Sequence, residues 1–243
     1  MSSTTSWLPP SLAARLPGPE LMDTADDVTA AELADALAQL RFINRRLGGY
    51  STTRRALDDL VARVGRPAGA WSVLDVGGGS GDAAPEMLAW GRSRGVRLAV
   101  TVVDRDERTA AEAARRLDST PNARAERADL FDVPAKSHDV VHASLFLHHF
   151  DGDDAARALR RMAEIARVGV VVNDLRRGAV PWTLIRWLTG AFSRNRLVRY
   201  DAPLSVARAF AADDWPRLGD AAGLDVVARR TWAFRWAVSG VPR

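Results

Sequence analysis

The run Val73-Leu74-Asp75-Val76-Gly77-Gly78-Gly79-Ser80-Gly81 constrains this chain more than any other segment. A short apolar stretch ends on an acidic residue and passes at once into glycines, after which the chain reads as a helix. Glycine lets the backbone turn where side chains forbid it and lets a ligand approach the main chain without a Cβ in the way. A strand, a tight turn and a helix make the first unit of a wound α/β sheet, with a ligand expected over the turn. The glycines at 77, 79 and 81 have G-x-G-x-G spacing, whereas the dinucleotide-binding turn is G-x-G-x-x-G. Asp82 also sets a carboxylate where a pyrophosphate would need free N–H groups and a positive helix end. Both points argue against a nicotinamide dinucleotide.

The surrounding pattern repeats the unit. Apolar runs near 71–76, 98–103, 124–128, 139–144 and 168–173 read as strands, with helices near 82–94, 106–117 and 153–166. This alternation predicts a mostly parallel, doubly wound sheet whose strand C-termini share one ligand-binding edge. Ahead of it, Thr29 to Leu47 reads as a helix, with Thr29 and Glu32 as a capping box and Gly48-Gly49 as its stop. A second helix is expected from Ser51 to Val64. Beyond Asp174, residues 180–212 read as two or three helical pieces, 213–222 as a last helix, and 225–232 with 234–241 as an antiparallel pair. The predicted organisation is a flexible leader over 1–28, containing Trp7-Leu8-Pro9-Pro10 and Pro17-Gly18-Pro19, followed by a single domain over 29–243. Within it, 29–70 are N-terminal helices, 71–174 the cofactor-binding core, 175–212 a helical lid insert and 213–243 the terminal helix and strand pair.

Composition narrows the classes. The absence of cysteine excludes disulfides and thiolate metal sites. No apolar run reaches the eighteen or so residues of a membrane span, and the start lacks a secretory pattern, so a cytoplasmic enzyme is expected. The formal charge of +4 is mild, and nucleic-acid binding would need basic residues clustered on one face with stacking aromatics.

Two further carboxylates sit at strand ends. Asp104, after Val102-Val103, can accept both hydroxyls of a ribose. Asp129, before Leu130, can accept from an adenine amino group. Each aspartate alone also suits a helix cap or a turn. Taken with the glycine loop, the set resembles the class I S-adenosylmethionine-dependent methyltransferases over roughly residues 71–174. The resemblance implies a Rossmann-like fold with an antiparallel terminal strand pair and S-adenosyl-L-methionine as cofactor. It implies that Asp75 and Gly77, Gly78, Gly79 and Gly81 hold the amino-acid end. It sets Asp104, with Arg105 beside it, at the ribose and Asp129 with Leu130 at the adenine. His142-Ala143-Ser144 would border the sulfonium. The stretch Ser144 to Phe150 looks like the subgroup that methylates quinone precursors and other phenolic or polyketide metabolites.

Methyl transfer from a sulfonium needs alignment above all, and a base only when the acceptor must lose a proton. His148 and His149 fall just past the fourth strand, where one of them is expected to face the pocket as base or acceptor-orienting residue, titrating near 6.5 if unperturbed. The alternative is one helix cap and one loop-packing residue. A metal is not expected, because the pair lacks the carboxylate and spacing of zinc motifs. Asn173 or Asp174, and Arg176, follow the fifth strand as acceptor-binding candidates or as turn formers. Trp182 and Trp187, in an arginine-rich segment without acids, suggest a lid over an apolar acceptor or a transient membrane-surface contact. The expected reaction is O-methylation of a small aromatic or lipophilic metabolite. Carbon methylation of a quinone or polyketide ring and a non-catalytic partner subunit are the alternatives.

Overall fold

The computed structural model describes residues 9–24 and 27–243, so Trp7 and Leu8 of the expected leader lie outside the described residues. Seven strands form one sheet in the order β3-β2-β1-β4-β5-β7-β6. They are β1 (Ala70–Val76), β2 (Arg97–Asp104), β3 (Ala123–Arg127), β4 (His138–Ser144), β5 (Ala166–Leu175), β6 (Leu224–Thr231) and β7 (Arg235–Pro242). The first five pair in parallel, whereas β7 runs antiparallel between β5 and β6. The helices are α1 (Leu21–Thr24), α2 (Ala30–Arg46), α3 (Gly49–Val64), α4 (Ala83–Arg94), α5 (Glu107–Leu117), α6 (Asp154–Ile165), α7 (Ala179–Phe192), α8 (Arg196–Arg208) and α9 (Asp214–Ala222). A 3₁₀ turn spans Leu147–His149.

The period-two alternation of the strands feeds two cores. Leu74, Val76, Val141, Val170 and Val172 face one way, against Leu159, Met162 and Trp215 of α6 and α9. Val73, Val100, Val102, Val140 and Val171 face the other way, against Leu57, Leu60, Met87 and Leu117 of α3, α4 and α5. Chain order reverses between β1 and β4, which opens a crevice at their C-terminal ends. None of the helices is long and apolar enough to cross a membrane among the described residues.

Two local readings change. The Thr29 hydroxyl accepts from the Glu32 N–H at 3.2 Å, but the Glu32 carboxylate pairs with Arg196 at 2.8 Å instead of closing the capping box. The segment expected as a loose leader packs on the domain over its described residues. Leu12 and Leu16 lie against Trp182 and Val206, Glu20 is buried, and Asp201 Oδ1 accepts from the Leu21 N–H at 2.7 Å. Its prolines and glycine shape the path, while side-chain contacts far along the chain hold it.

Gly169 marks where β5 passes closest to its neighbours. A Cβ there would lie 2.6 Å from the Gly240 carbonyl oxygen and 2.8 Å from Leu60 Cδ1. Gly169→Ala should therefore destabilise by about 1–3 kcal/mol through overpacking. The urea midpoint should fall at unchanged slope; an unmoved midpoint would show that β5 and β7 separate without cost.

Candidate active site

At the crevice between β1, β2 and β4 lies a cleft of about 1260 Å³. Single-ligand pockets span roughly 300–1000 Å³, so this one has room for a cofactor and an acceptor together. Its floor contains Asp75, Gly77, Gly78, Gly79, Asp104, Arg105, Asp129, Leu130 and Ser144. Gly77 has φ +59°, and a Cβ on it would fall 2.2 Å from the Phe146 ring. A Cβ on Gly78 would meet Val102 at 2.5 Å. The turn thus requires glycine at both positions.

Asp104 braces this turn, accepting from the Gly79 N–H at 3.2 Å and the Asp106 N–H at 3.0 Å. Burial pushes its pKa up, the Asp106 charge adds to this, and the two backbone bonds only partly offset it. Asp75 is fully buried and holds the His142 Nδ1 at 2.6 Å through Oδ1. Its Oδ2 has no hydrogen-bond partner among the described residues, although the residue lines the cleft. A buried carboxylate oxygen requires a donor, and an amino-acid ammonium suits it in charge. The donor set therefore fits S-adenosylmethionine, with Asp75 at the ammonium and Asp104 at the ribose hydroxyls.

Two expectations at this end are corrected. Gly81 does not line the cleft; it turns the chain at φ +73° against Leu117 and Ala113 of α5. Of His142, Ala143 and Ser144, only Ser144 reaches the cleft, because His142 Nε2 is used by Thr53 Oγ1 at 3.1 Å. Asp129 lines the cleft but also shapes its own turn, accepting from the Phe131 N–H at 2.9 Å.

The other end of the cleft is walled by Phe146, His148, His149 and Phe150 below, and by α2, α7 and α8 above. Both histidines line it, not one, because the 3₁₀ turn sets their rings side by side with centroids 4.5 Å apart. His148 is buried and its Nδ1 meets Asp174 Oδ1 at 2.6 Å. Its Nε2 stands 3.5 Å from Glu20. Burial alone would pull its pKa down, but the Asp174 carboxylate, with Glu20 in front, raises it to about 9. The ring is thus not the unperturbed histidine for which a value near 6.5 was expected. Burial would raise the Asp174 pKa, yet His148 and the Leu175 N–H hold it below the usual carboxylate range. His149 is part-exposed, with Nδ1 2.7 Å from Asp23 Oδ2 and Nε2 3.8 Å from Glu20.

Among the acceptor candidates, only Trp187 lines the cleft. Asn173 is buried and spends its amide on Gly49 O, Thr53 and Ser144, while its Oδ1 accepts from Arg235. Arg176 stacks over Phe234 at 5.2 Å, and Trp182 packs between α7 and α8 against Val206 and Ala207. Glu20 and Asp23 were not foreseen. The only sequence signal for them is a pair of acids three apart in a segment otherwise read as a spacer, facing histidines far along the chain.

A family described as a methyltransferase domain matches residues 73–169. No curated protein matches the chain. Among solved structures, the CMeT domain of the citrinin polyketide synthase matches with TM-score 0.56 and 16% identity, over 76% of this chain and 50% of that one. Human N-acetylserotonin methyltransferase in complex with S-adenosylmethionine matches with TM-score 0.65 and 20% identity, over 93% of this chain and 60% of that one. The mitomycin 7-O-methyltransferase matches with TM-score 0.55 and 22% identity, over 92% and 63%. This chain thus spans about half to three-fifths of the length of these neighbours, and at such identities the likeness establishes the fold. Residues 73–169 on this sheet thus match a methyltransferase domain, and the sheet has the Rossmann-like methyltransferase fold.

Proposed function

We propose that the chain methylates a hydroxyl oxygen on a small, aromatic and lipophilic acceptor. The observation that carries this reading is the two-ended cleft. Its floor presents glycine backbone and carboxylates, and its far wall joins Phe146, Phe150, Leu184 and Trp187 to a histidine pair. An apolar wall with a few convergent polar groups is what an aromatic alcohol or phenol needs. Leu184 and Trp187 on α7, both exposed, extend that apolar surface to the rim. The names of the neighbours support oxygen as the acceptor atom, one being a 7-O-methyltransferase, while the polyketide synthase domain keeps carbon methylation as the alternative.

The cofactor supplies an activated methyl group on a sulfonium. Asp75 would hold its ammonium and Asp104 its ribose hydroxyls. The acceptor lies on the Phe146–Phe150 wall with its oxygen toward His148 and His149. Its hydroxyl proton leaves to solvent past His149, the more exposed ring. Held there, the acceptor oxygen would lie between the histidine pair and the cofactor end of the cleft, where the bound sulfonium would supply the methyl group. Alignment of this kind can contribute on the order of 7–11 kcal/mol.

Three measurements test the reading. S-adenosylmethionine or its demethylated product at saturation should raise the melting temperature, whereas NAD and NADP should not; an equal shift with NAD would sink it. In calorimetry, Asp104→Ala should weaken cofactor binding by about 1.5–3 kcal/mol for each charge-assisted bond lost, in a variant that still melts cooperatively. Unchanged affinity would return Asp104 to a purely structural brace. In a cofactor-consumption assay over phenols, hydroxyquinones and carboxylic acids, phenols should turn over with the methyl on oxygen. His148→Ala should cost about 10²-fold or more with little change in cofactor affinity. A similar loss on acidic and weakly acidic phenols indicates acceptor orientation, a loss confined to weakly acidic ones indicates proton removal, and near-normal rates throughout make the histidine structural. Methyl on carbon would favour the alternative, and cofactor binding without turnover on any acceptor would point to a partner subunit.

A further inference from the structure

Glu20, His148 and His149 have more order than an acceptor-facing wall requires. Each offers one ligand atom, and these atoms lie within 4.8 Å of one another on the cleft surface. Each is also fixed from behind. Asp174 holds His148 Nδ1 at 2.6 Å, Asp23 holds His149 Nδ1 at 2.7 Å, and the Ser205 hydroxyl donates to Glu20 Oε1 at 2.6 Å. A ring that gives its Nδ1–H to a carboxylate presents, when neutral, the Nε2 lone pair on its other side. Here both Nε2 atoms face the same Glu20 carboxylate, at 3.5 and 3.8 Å.

Lone pairs facing a carboxylate repel, so the arrangement needs positive charge in front of the rings. Among the described residues, the nearby arginines are engaged elsewhere. Arg15 and Arg208 donate to the backbone carbonyls of His148, His149 and Phe150, and Arg105 lies behind, 3.6 Å from Asp23. Protons on both Nε2 atoms are one answer, but 3.5 and 3.8 Å are long for N–H···O bonds. Ligands at about 2.0–2.2 Å from one metal ion stand roughly 3–3.5 Å apart, so small side-chain shifts suffice for the second answer.

We propose that Glu20, His148 and His149 form a binding site for one divalent first-row transition ion, on the acceptor side of the cleft. Two imidazoles and a carboxylate select zinc, iron, cobalt, nickel or manganese over magnesium and calcium, which take oxygen ligands. Carboxylates behind both histidines are the usual outer-sphere partners of such ligands, since they fix the tautomer and raise ligand basicity. The three ligands leave coordination positions open to the cleft. The carboxylate missing from the histidine pair in sequence is supplied by the N-terminal segment. Given the methyl-transfer reading, which this role rests on, the ion would bind the acceptor oxygen and favour its ionised form. The binding site itself does not depend on that reading.

The test is titration of chelator-treated full-length protein with Co²⁺, followed by calorimetry, visible absorption and melting temperature, with no methyl donor present. One Co²⁺ per chain with a raised melting temperature is expected. Glu20→Gln and His149→Ala should each weaken binding at least tenfold, and Asp23→Asn by about 10–100-fold, the usual loss for an outer-sphere partner. Folding of the variants is checked by cooperative melting in the absence of metal. No bound Co²⁺ would overturn the proposal and leave the cluster to protons. Binding that is unchanged in both Glu20→Gln and His149→Ala would overturn it as well, by placing the ion elsewhere. Co²⁺ bound at this site by a protein that methylates no phenol would uphold the site and defeat the functional reading instead.

Discussion

A carboxylate buried at a strand end stays ionised only if charge and hydrogen bonds replace the water it has lost. Asp174, fully buried at the end of β5, meets that condition through His148. The ring approaches at 2.6 Å, and the backbone N–H groups of His148 and Leu175 at 3.2 and 2.7 Å. To bring His148 there, the chain after β4 folds into the 3₁₀ turn. The carbonyls of that turn are taken up by Arg15 from the N-terminal segment and Arg208 from α8. One ion pair thus ties together the sheet edge, the turn below the acceptor and two parts of the cover above it.

The same rule is applied a second time on the other side of β4. Asp75, fully buried near the end of β1, takes the His142 ring at 2.6 Å. From His142 the polar line continues through Thr53 and Asn173 to Arg235 and Asn44. Since β4 lies between β1 and β5, the β4 strand and the turn after it supply a histidine to a carboxylate on each neighbour. The consequence for the cleft is a rigid floor. Asp75 keeps one oxygen for a ligand because the other is spoken for, and Asn173, saturated by this line, is lost to the acceptor.

Much of the sheet was legible because its signals are local. Short runs at strand spacing between helical stretches located every strand, within a residue or two at most ends, and most of them are rich in β-branched residues. The glycine run placed the turn at the floor of the cleft, since backbone that must turn at φ +59° beside Phe146 admits little else. What was not legible depends on partners distant in sequence. Pro17-Gly18-Pro19 read as a spacer, yet Glu20 and Asp23 just beyond them reach His148 and His149. A polar residue at a strand end reads alike whether it turns to ligand or to protein, and Asn173 turned to protein. Helical spacing gave α7 two tryptophans, but only its fit against α8 buries Trp182 and leaves Trp187 at the cleft.

The matched family region, residues 73–169, contains the cofactor floor and both histidines. The rest of the acceptor wall comes from outside it: Glu20 and Asp23 from the N-terminal segment, Leu33 and Leu37 from α2, Trp187 from α7 and Ser205 from α8. The two halves of the cleft are therefore under different physical demands. The floor must match one invariant ligand with close backbone approach, so its sequence is tightly limited. The cover only has to supply apolar area of the right shape and a few polar anchors, a requirement many helical sequences meet. Acceptor choice can then change by altering the cover while the floor, braced by its two histidine–carboxylate pairs, keeps its geometry. Glu20 and Asp23 are the exception, because they meet the histidine pair across that divide and fix the N-terminal segment to the turn after β4.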